Sequence, residues 1–107
     1  MTVATTETIP GKRIVAVRGL VQGNTIRSRH VGRDIMAAFR SVVGGEIAEY
    51  TRLMSESRQE AADRMVAEAE KLDANAVIGT RFVTSMVMSG ASELLAYGTA
   101  VVIEDEV

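Results

Sequence analysis

Residues 44–82, GGEIAEYTRLMSESRQEAADRMVAEAEKLDANAVIGTRF, decide the fold. From Glu46 onward the apolar positions are Ile47, Tyr50, Leu53, Met54, Ala61, Ala62, Met65, Val66, Ala69 and Leu72. They fall at i, i+3, i+4 and i+7 offsets, the stripe of a helix that buries one face. The opposite face carries Glu60, Arg64 and Glu68 at successive i+4 steps. It reads as a solvated charge ladder, each pair worth about 0.3 kcal/mol. Gly44-Gly45 breaks this helix from the one before it, and Glu46 and Glu49 occupy the first turn, where the helix dipole favours anions. Ser55-Glu56-Ser57 is the weak point, because serines compete for backbone hydrogen bonds, so a kink is expected there. Asp73-Ala74-Asn75 is the exit, with Asn75 the best candidate for a left-handed residue.

A helix of about 27 residues spans roughly 40 Å, whereas a compact domain of about 100 residues has a radius of gyration near 13 Å. Either the helix breaks near Ser55–Arg58 or its end packs on another subunit.

Before it, residues 1–11 are Thr-rich and end in Ile9-Pro10-Gly11, a turn signal. This segment is expected to fray or to lie along an edge. Lys12 to Ser28 is rich in Val and Ile and reads as strand. Gly19 suggests a bulge or a close backbone approach within it, and Gly23-Asn24 a second bend or tight turn. One long bent strand and two short ones fit equally well. Arg27, Arg29, His30 and Arg33 form a basic patch ahead of a short helix from Arg33 or Asp34 to Val43, striped by Ile35, Met36, Phe39, Val42 and Val43.

After the central helix, Ala76 to about Val87 reads as strand, Ser89-Gly90 as a turn, and Glu93 to Glu104 as the last strand. That strand is apolar on both alternating sets: Leu95, Tyr97, Val101 and Ile103 on one, Leu94, Ala96, Ala100 and Val102 on the other. Both of its faces need cover. Two helices can cover one face, and the likeliest cover for the other is a second copy of the chain. The expected fold is α+β in two layers: a mixed or antiparallel sheet of three to four strands packed by a short and a long helix. The 107 residues suit a single domain.

Composition narrows the function. With 47% apolar residues a core needs no staples, and the absence of cysteine excludes disulfides and thiolate chemistry. The first ten residues lack the basic and apolar regions of a signal peptide, and no apolar run reaches membrane-spanning length, so a cytoplasmic location is the expectation. A net charge of −2 with interleaved signs argues against a nucleic-acid surface.

Gly44–Glu46 after a short helix, the Arg58 to Ala61 stretch, ANAVIGTRF at Ala74–Phe82 and AYGTAV at Ala96–Val101 together resemble the YbjQ family, also called UPF0145 or DUF74 and sometimes labelled heavy-metal-binding. The resemblance covers about Lys12 to Ile103. It implies a dodecin-like subunit, ring-shaped homopentamers and no established activity. The family usually has Gly where this chain has Asp73.

The candidate sites each have a plainer explanation beside them. A metal ion could be held by the carboxylates Asp34, Glu46 and Glu49, above all if copies converge on a symmetry axis; the plainer view makes them a cap and helix-start residues. Arg27 and Arg33, with the backbone of Gly44 and Gly45, could cradle an anion; otherwise these arginines are solvated or make ion pairs between subunits. Arg81 and Tyr97 could be neighbours across the last hairpin and share a ligand site, although such a Tyr more often sits in a core or interface. No catalytic triad, P-loop or zinc motif is present, and no organic cofactor is implied. The expected protein is a non-enzymatic homo-oligomeric module that holds a small ligand or ion between subunits, with carboxylate metal binding as the alternative.

Overall fold

The computed structural model describes residues 1–28, 48–88 and 91–107, with side chains for 1–27, 51–88 and 91–107. The short helix expected before Val43, the Gly44-Gly45 break and the Ser89-Gly90 turn lie outside the described residues. The described elements are β1 (Thr2–Val3), β2 (Lys12–Ser28), α1 (Ala48–Lys71), β3 (Ala76–Met88) and β4 (Ala91–Asp105). They form one mixed sheet in the order β1-β3-β4-β2 with α1 packed on one face, an α+β architecture.

β4 is the central strand. It pairs antiparallel with β2 from Lys12↔Asp105 to Ser28↔Ala91, and antiparallel with β3 from Ala76↔Val101 to Met88↔Ala91. β2 is therefore one long strand. Its register slips between Ile14 and Ala16 and again between Val17 and Gly19, so the bulge read from Gly19 is present. The bend expected at Gly23-Asn24 is absent: both residues continue the ladder, opposite Ala96 and Leu95.

Gly23 has a different task. A Cβ there would lie 2.3 Å from the Ala61 carbonyl oxygen and 2.4 Å from the Met65 nitrogen, both helix backbone. The helix can settle onto β2 only because this position has no side chain. Small residues extend the close contact, with Ala61, Ala69, Ala96 and Ala100 fully buried around Met65, Val21 and Leu94. The stripe read from the sequence is thus the packed face, with Ala61, Met65 and Ala69 at its centre. Leu72, past the helix end, stays exposed.

α1 runs unbroken through Ser55–Arg58. The Ser57 hydroxyl donates to the Leu53 carbonyl one turn back at 2.8 Å, so its polar group finds a partner inside the helix without breaking it. The chain leaves the helix through Asp73 at φ 59°, so the left-handed residue is Asp73 and not Asn75. Asn75 instead bridges to β4: its amide donates to the Ile103 carbonyl at 2.9 Å, and its side-chain oxygen accepts from the Ile103 N–H at 2.7 Å.

The face of β4 away from the helix is covered in part by the chain's own beginning. β1 pairs parallel with the start of β3, and Ala4 and Thr6 go on bonding to Val77, Gly79 and Thr80. The segment then crosses to β2, seating Ile9 on Ala76, Ile78, Val101 and Ile103. A second copy is therefore not needed at that end of the face. Further along, Leu95 and Tyr97 of β4 are half-buried, while on β2 Val17 is 68% exposed and Leu20 is 70% exposed. The molecule measures 59 × 26 × 17 Å with a radius of gyration of 17.5 Å, long and thin for its size.

Two substitutions test this packing. Gly23→Ala should lower the unfolding free energy by about 3 kcal/mol, because the added methyl meets backbone that cannot swing aside; a loss below about 1 kcal/mol in urea titration would contradict the contact. Asp73→Gly should raise it by about 0.5 kcal/mol, since glycine takes the left-handed conformation without Cβ crowding.

Candidate functional site

The densest polar cluster among the described residues joins the last turn of β2 to the middle of α1. Arg27 donates through Nε to the Ser57 hydroxyl at 2.6 Å and through an Nη to Glu60 at 2.7 Å. Arg64 donates to the other Glu60 oxygen at 2.5 Å and to the Asn24 carbonyl of β2 at 2.5 Å. Thr25, fully buried, donates to the Ser57 carbonyl. Glu60 is thus gripped by two guanidiniums, one from its own helix and one from the sheet.

Glu60 and Arg64 had read as a solvated ladder because a helical repeat contains no information about Arg27. The hydrogen bond from Arg27 holds the Glu60 carboxyl below its ordinary value of 4.5, with the nearby charges of Arg64 and Arg27 adding to it against some desolvation. Chemically this is a strap between layers. It engages the Nε and one Nη of Arg27. At the far end of the sheet, Lys12 pairs with Asp105, and Arg13 pairs with Glu104 at 3.2 Å, both across the β2–β4 ladder. The bond from Lys12 likewise lowers the Asp105 carboxyl.

Arg81 and Tyr97 are brought together, since they face each other across β3 and β4. The Arg81 guanidinium, however, donates to the Thr5 and Thr80 carbonyls at 2.7 and 2.8 Å, tying β3 to the N-terminal segment. Tyr97 is half-buried on the face away from the helix, level with Gln22 of β2. Gly98 beside it lets strands approach: a Cβ there would lie 2.6 Å from Val77. Thr80 next to this contact is buried with its hydroxyl unpaired among the described residues.

Of the remaining candidates, Arg33, Asp34, Gly44, Gly45 and Glu46 lie outside the described residues, and of Glu49 only the backbone, within α1, is described. Among the described residues no three His, Asp or Glu side chains gather to hold a metal ion. No described helix is long and apolar enough to cross a membrane.

One concavity went unread in the sequence. A groove of about 680 Å³ runs between the outer edge of β2 and the C-terminal half of α1, with Leu20, Gln22, Asn24, Arg64, Ala67 and Leu72 along it. It arises because α1 lies over β2 and β4 and barely touches β3. Periodicity places residues on a helix face but does not say over which strands that face comes to rest.

Residues 1–104 match the YbjQ family, whose description is "Putative heavy-metal-binding". A UPF0145 protein of Methanosarcina acetivorans is 55% identical over 101 residues, covering 94% of this chain and 95% of that protein. A UPF0145 protein of Clostridium perfringens is 55% identical over 105 residues, covering 98% and 99%. The crystal structure of a DUF74-family protein of unknown function from Pediococcus pentosaceus superposes with a TM-score of 0.65 at 17% identity, covering 97% of this chain and 98% of that one, a likeness of fold. The chain belongs to the YbjQ (UPF0145) family.

The strap makes a pH prediction. A carboxyl whose folded pKa is depressed adds stability that is present above its unfolded value and lost as pH falls through the folded one. Glu60→Gln should therefore be less stable than the parent at neutral pH and lose less stability on acidification below 4.5. Thermal melts of the two proteins between neutral and acid pH would show converging curves; parallel curves would mean that the carboxylate contributes nothing.

Proposed function

We propose that this member of the YbjQ family works as a non-enzymatic homo-oligomeric module, in which copies of the chain close into a ring and hold a small ligand or ion between subunits. The observation that carries the reading is apolar surface left open after the chain's own helix and N-terminal segment are in place. Leu20 is 70% exposed, Ile26 56%, Phe82 48% and Met86 79%. Single exposed apolar residues are ordinary on a protein surface, but several together on the two outer strands of one small sheet suit a contact surface. The elongated shape supports the same reading, because a thin sheet buries more of its surface when it is joined to others. The ring number expected from the family resemblance is five.

Metal binding through Asp34, Glu46 and Glu49 is the second reading, favoured by the family's description. A shared catalytic site at Arg81 and Tyr97 has less support, since Arg81 is committed to two backbone carbonyls.

Native mass spectrometry of protein purified without chelator or metal-affinity steps separates these readings. A closed ring carrying added mass between subunits is the expected result, and the mass identifies the class of ligand. Bound metal that Glu46→Gln loses would favour the second reading. A monomer at micromolar concentration would overturn the oligomeric one.

A further inference from the structure

The sheet has two open edges that fit each other. Among the described residues nothing pairs with the outer edge of β2, and β3 beyond Arg81 has no outer neighbour either. The Asn24 carbonyl is turned outward, since Arg64 takes it from the side. Alternate residues of an antiparallel strand turn both backbone groups the same way, so Leu20, Gln22 and Ile26 share that outer edge. Seen from β4, Phe82 stands opposite Ala96, and Ala96 stands opposite Gly23. Phe82 is therefore on the helix side of the sheet and level with the groove between β2 and α1. Its own helix does not reach it, because α1 is displaced toward β2.

We infer that β3 of one copy adds to the outer edge of β2 of the next, in parallel, with Phe82 entering the groove beneath the neighbour's α1. The inference rests on the oligomeric reading above and specifies its interface. Direction agrees: β2 and β3 both run antiparallel to β4, so a rotation that carries one sheet into the next sets them parallel. Composition agrees as well. Phe82–Met88 contains no charged residue, and Leu20, Ala67 and Leu72 give the groove apolar surface beside the charged Arg64, Glu68 and Lys71. At the exposures they show, the apolar side chains of the two edges offer on the order of 1,000 Å², about what a specific interface must bury. The entering strand takes the Asn24 carbonyl from Arg64, whose guanidinium keeps Glu60. Two different edges in contact make a heterologous interface, which does not stop at a pair and gives a ring where the rotation between copies closes.

The chain has no cysteine, so engineered pairs report cleanly. Asn24 and Val83 both face Leu95, on the side of the sheet away from the helix. Within one chain they are two strand spacings apart, roughly 9.5 Å, beyond the roughly 7 Å that a disulfide spans. In the assembly proposed they become neighbours. Asn24→Cys combined in turn with Arg81→Cys, Val83→Cys and Ser85→Cys allows for a register shift of one pair. Oxidation should give a ladder of dimers, trimers and higher species for at least one combination, and none for the single variants. A dimer from Asn24→Cys alone would mean that β2 meets β2, which overturns the proposal. So would an oligomer in native mass spectrometry with no ladder from any pair, and that result leaves the oligomeric reading standing. A monomeric parent overturns both. As a second readout, Phe82→Glu, half-exposed in the free subunit, should keep the far-ultraviolet circular dichroism of the parent and raise the concentration needed for assembly at least about tenfold. Unchanged assembly would contradict the placement of Phe82.

Discussion

The seating of the helix on Gly23 is the contact on which the rest of the structure depends. A side chain at that position would collide with helix backbone at Ala61 and Met65, so its absence sets how near the two layers come. Ala61, Ala69, Ala96 and Ala100 keep the approach close, and Met65 fills what they leave. The Arg27–Ser57–Glu60–Arg64 strap then fixes the helix lengthwise, because it bonds β2 to the middle of α1. Small residues set the distance and the strap sets the register. Together they hold α1 over β2 and β4.

That placement has a consequence on the other side of the sheet. A helix centred over β2 and β4 cannot also shelter the outer half of β3, so every residue from Arg81 to Met88 is exposed. The same offset opens the groove past the edge of β2. Among the described residues, the groove at one edge and the exposed strand at the other thus have one cause. In a chain that belongs to a family described only as "Putative heavy-metal-binding", this pairing of surplus and deficit is the strongest physical pointer to how the protein works.

Much of this was legible in the sequence. The stripe of α1, the strand character of Lys12–Ser28, the bulge at Gly19 and the two apolar faces of β4 follow from periodicity and side-chain type, which act locally. What escaped depends on contacts across long sequence separations. Gly23 read as a bend because a glycine within a strand has several uses, and only the helix lying above it selects one. Asn75 read as the left-handed residue on propensity; the structure gives that place to Asp73 because Asn75 is held by both backbone groups of Ile103. The far face of β4 read as waiting for a partner along its length, whereas Ile9, from a segment expected to fray or lie along an edge, covers one end of it. For the candidate site, Arg27 and Arg81 read as ligand-binding arginines. In the structure Arg27 bonds to Ser57 and Glu60 and Arg81 to Thr5 and Thr80, and no local pattern announces partners as distant as Ser57, Glu60 and Thr5.

The central claim is that the outer edge of β2 is completed by another copy of the chain. Amide hydrogen exchange at Gln22 and Ile26 in the native protein tests it most directly, because both N–H groups point away from β4 and find no partner within their own subunit among the described residues. Completion of the sheet by a neighbour predicts that these amides exchange as slowly as those of Gly23 and Thr25, which bond inward to β4. Fast exchange at Gln22 and Ile26 beside slow exchange at Gly23 and Thr25 would show a free edge and contradict the account.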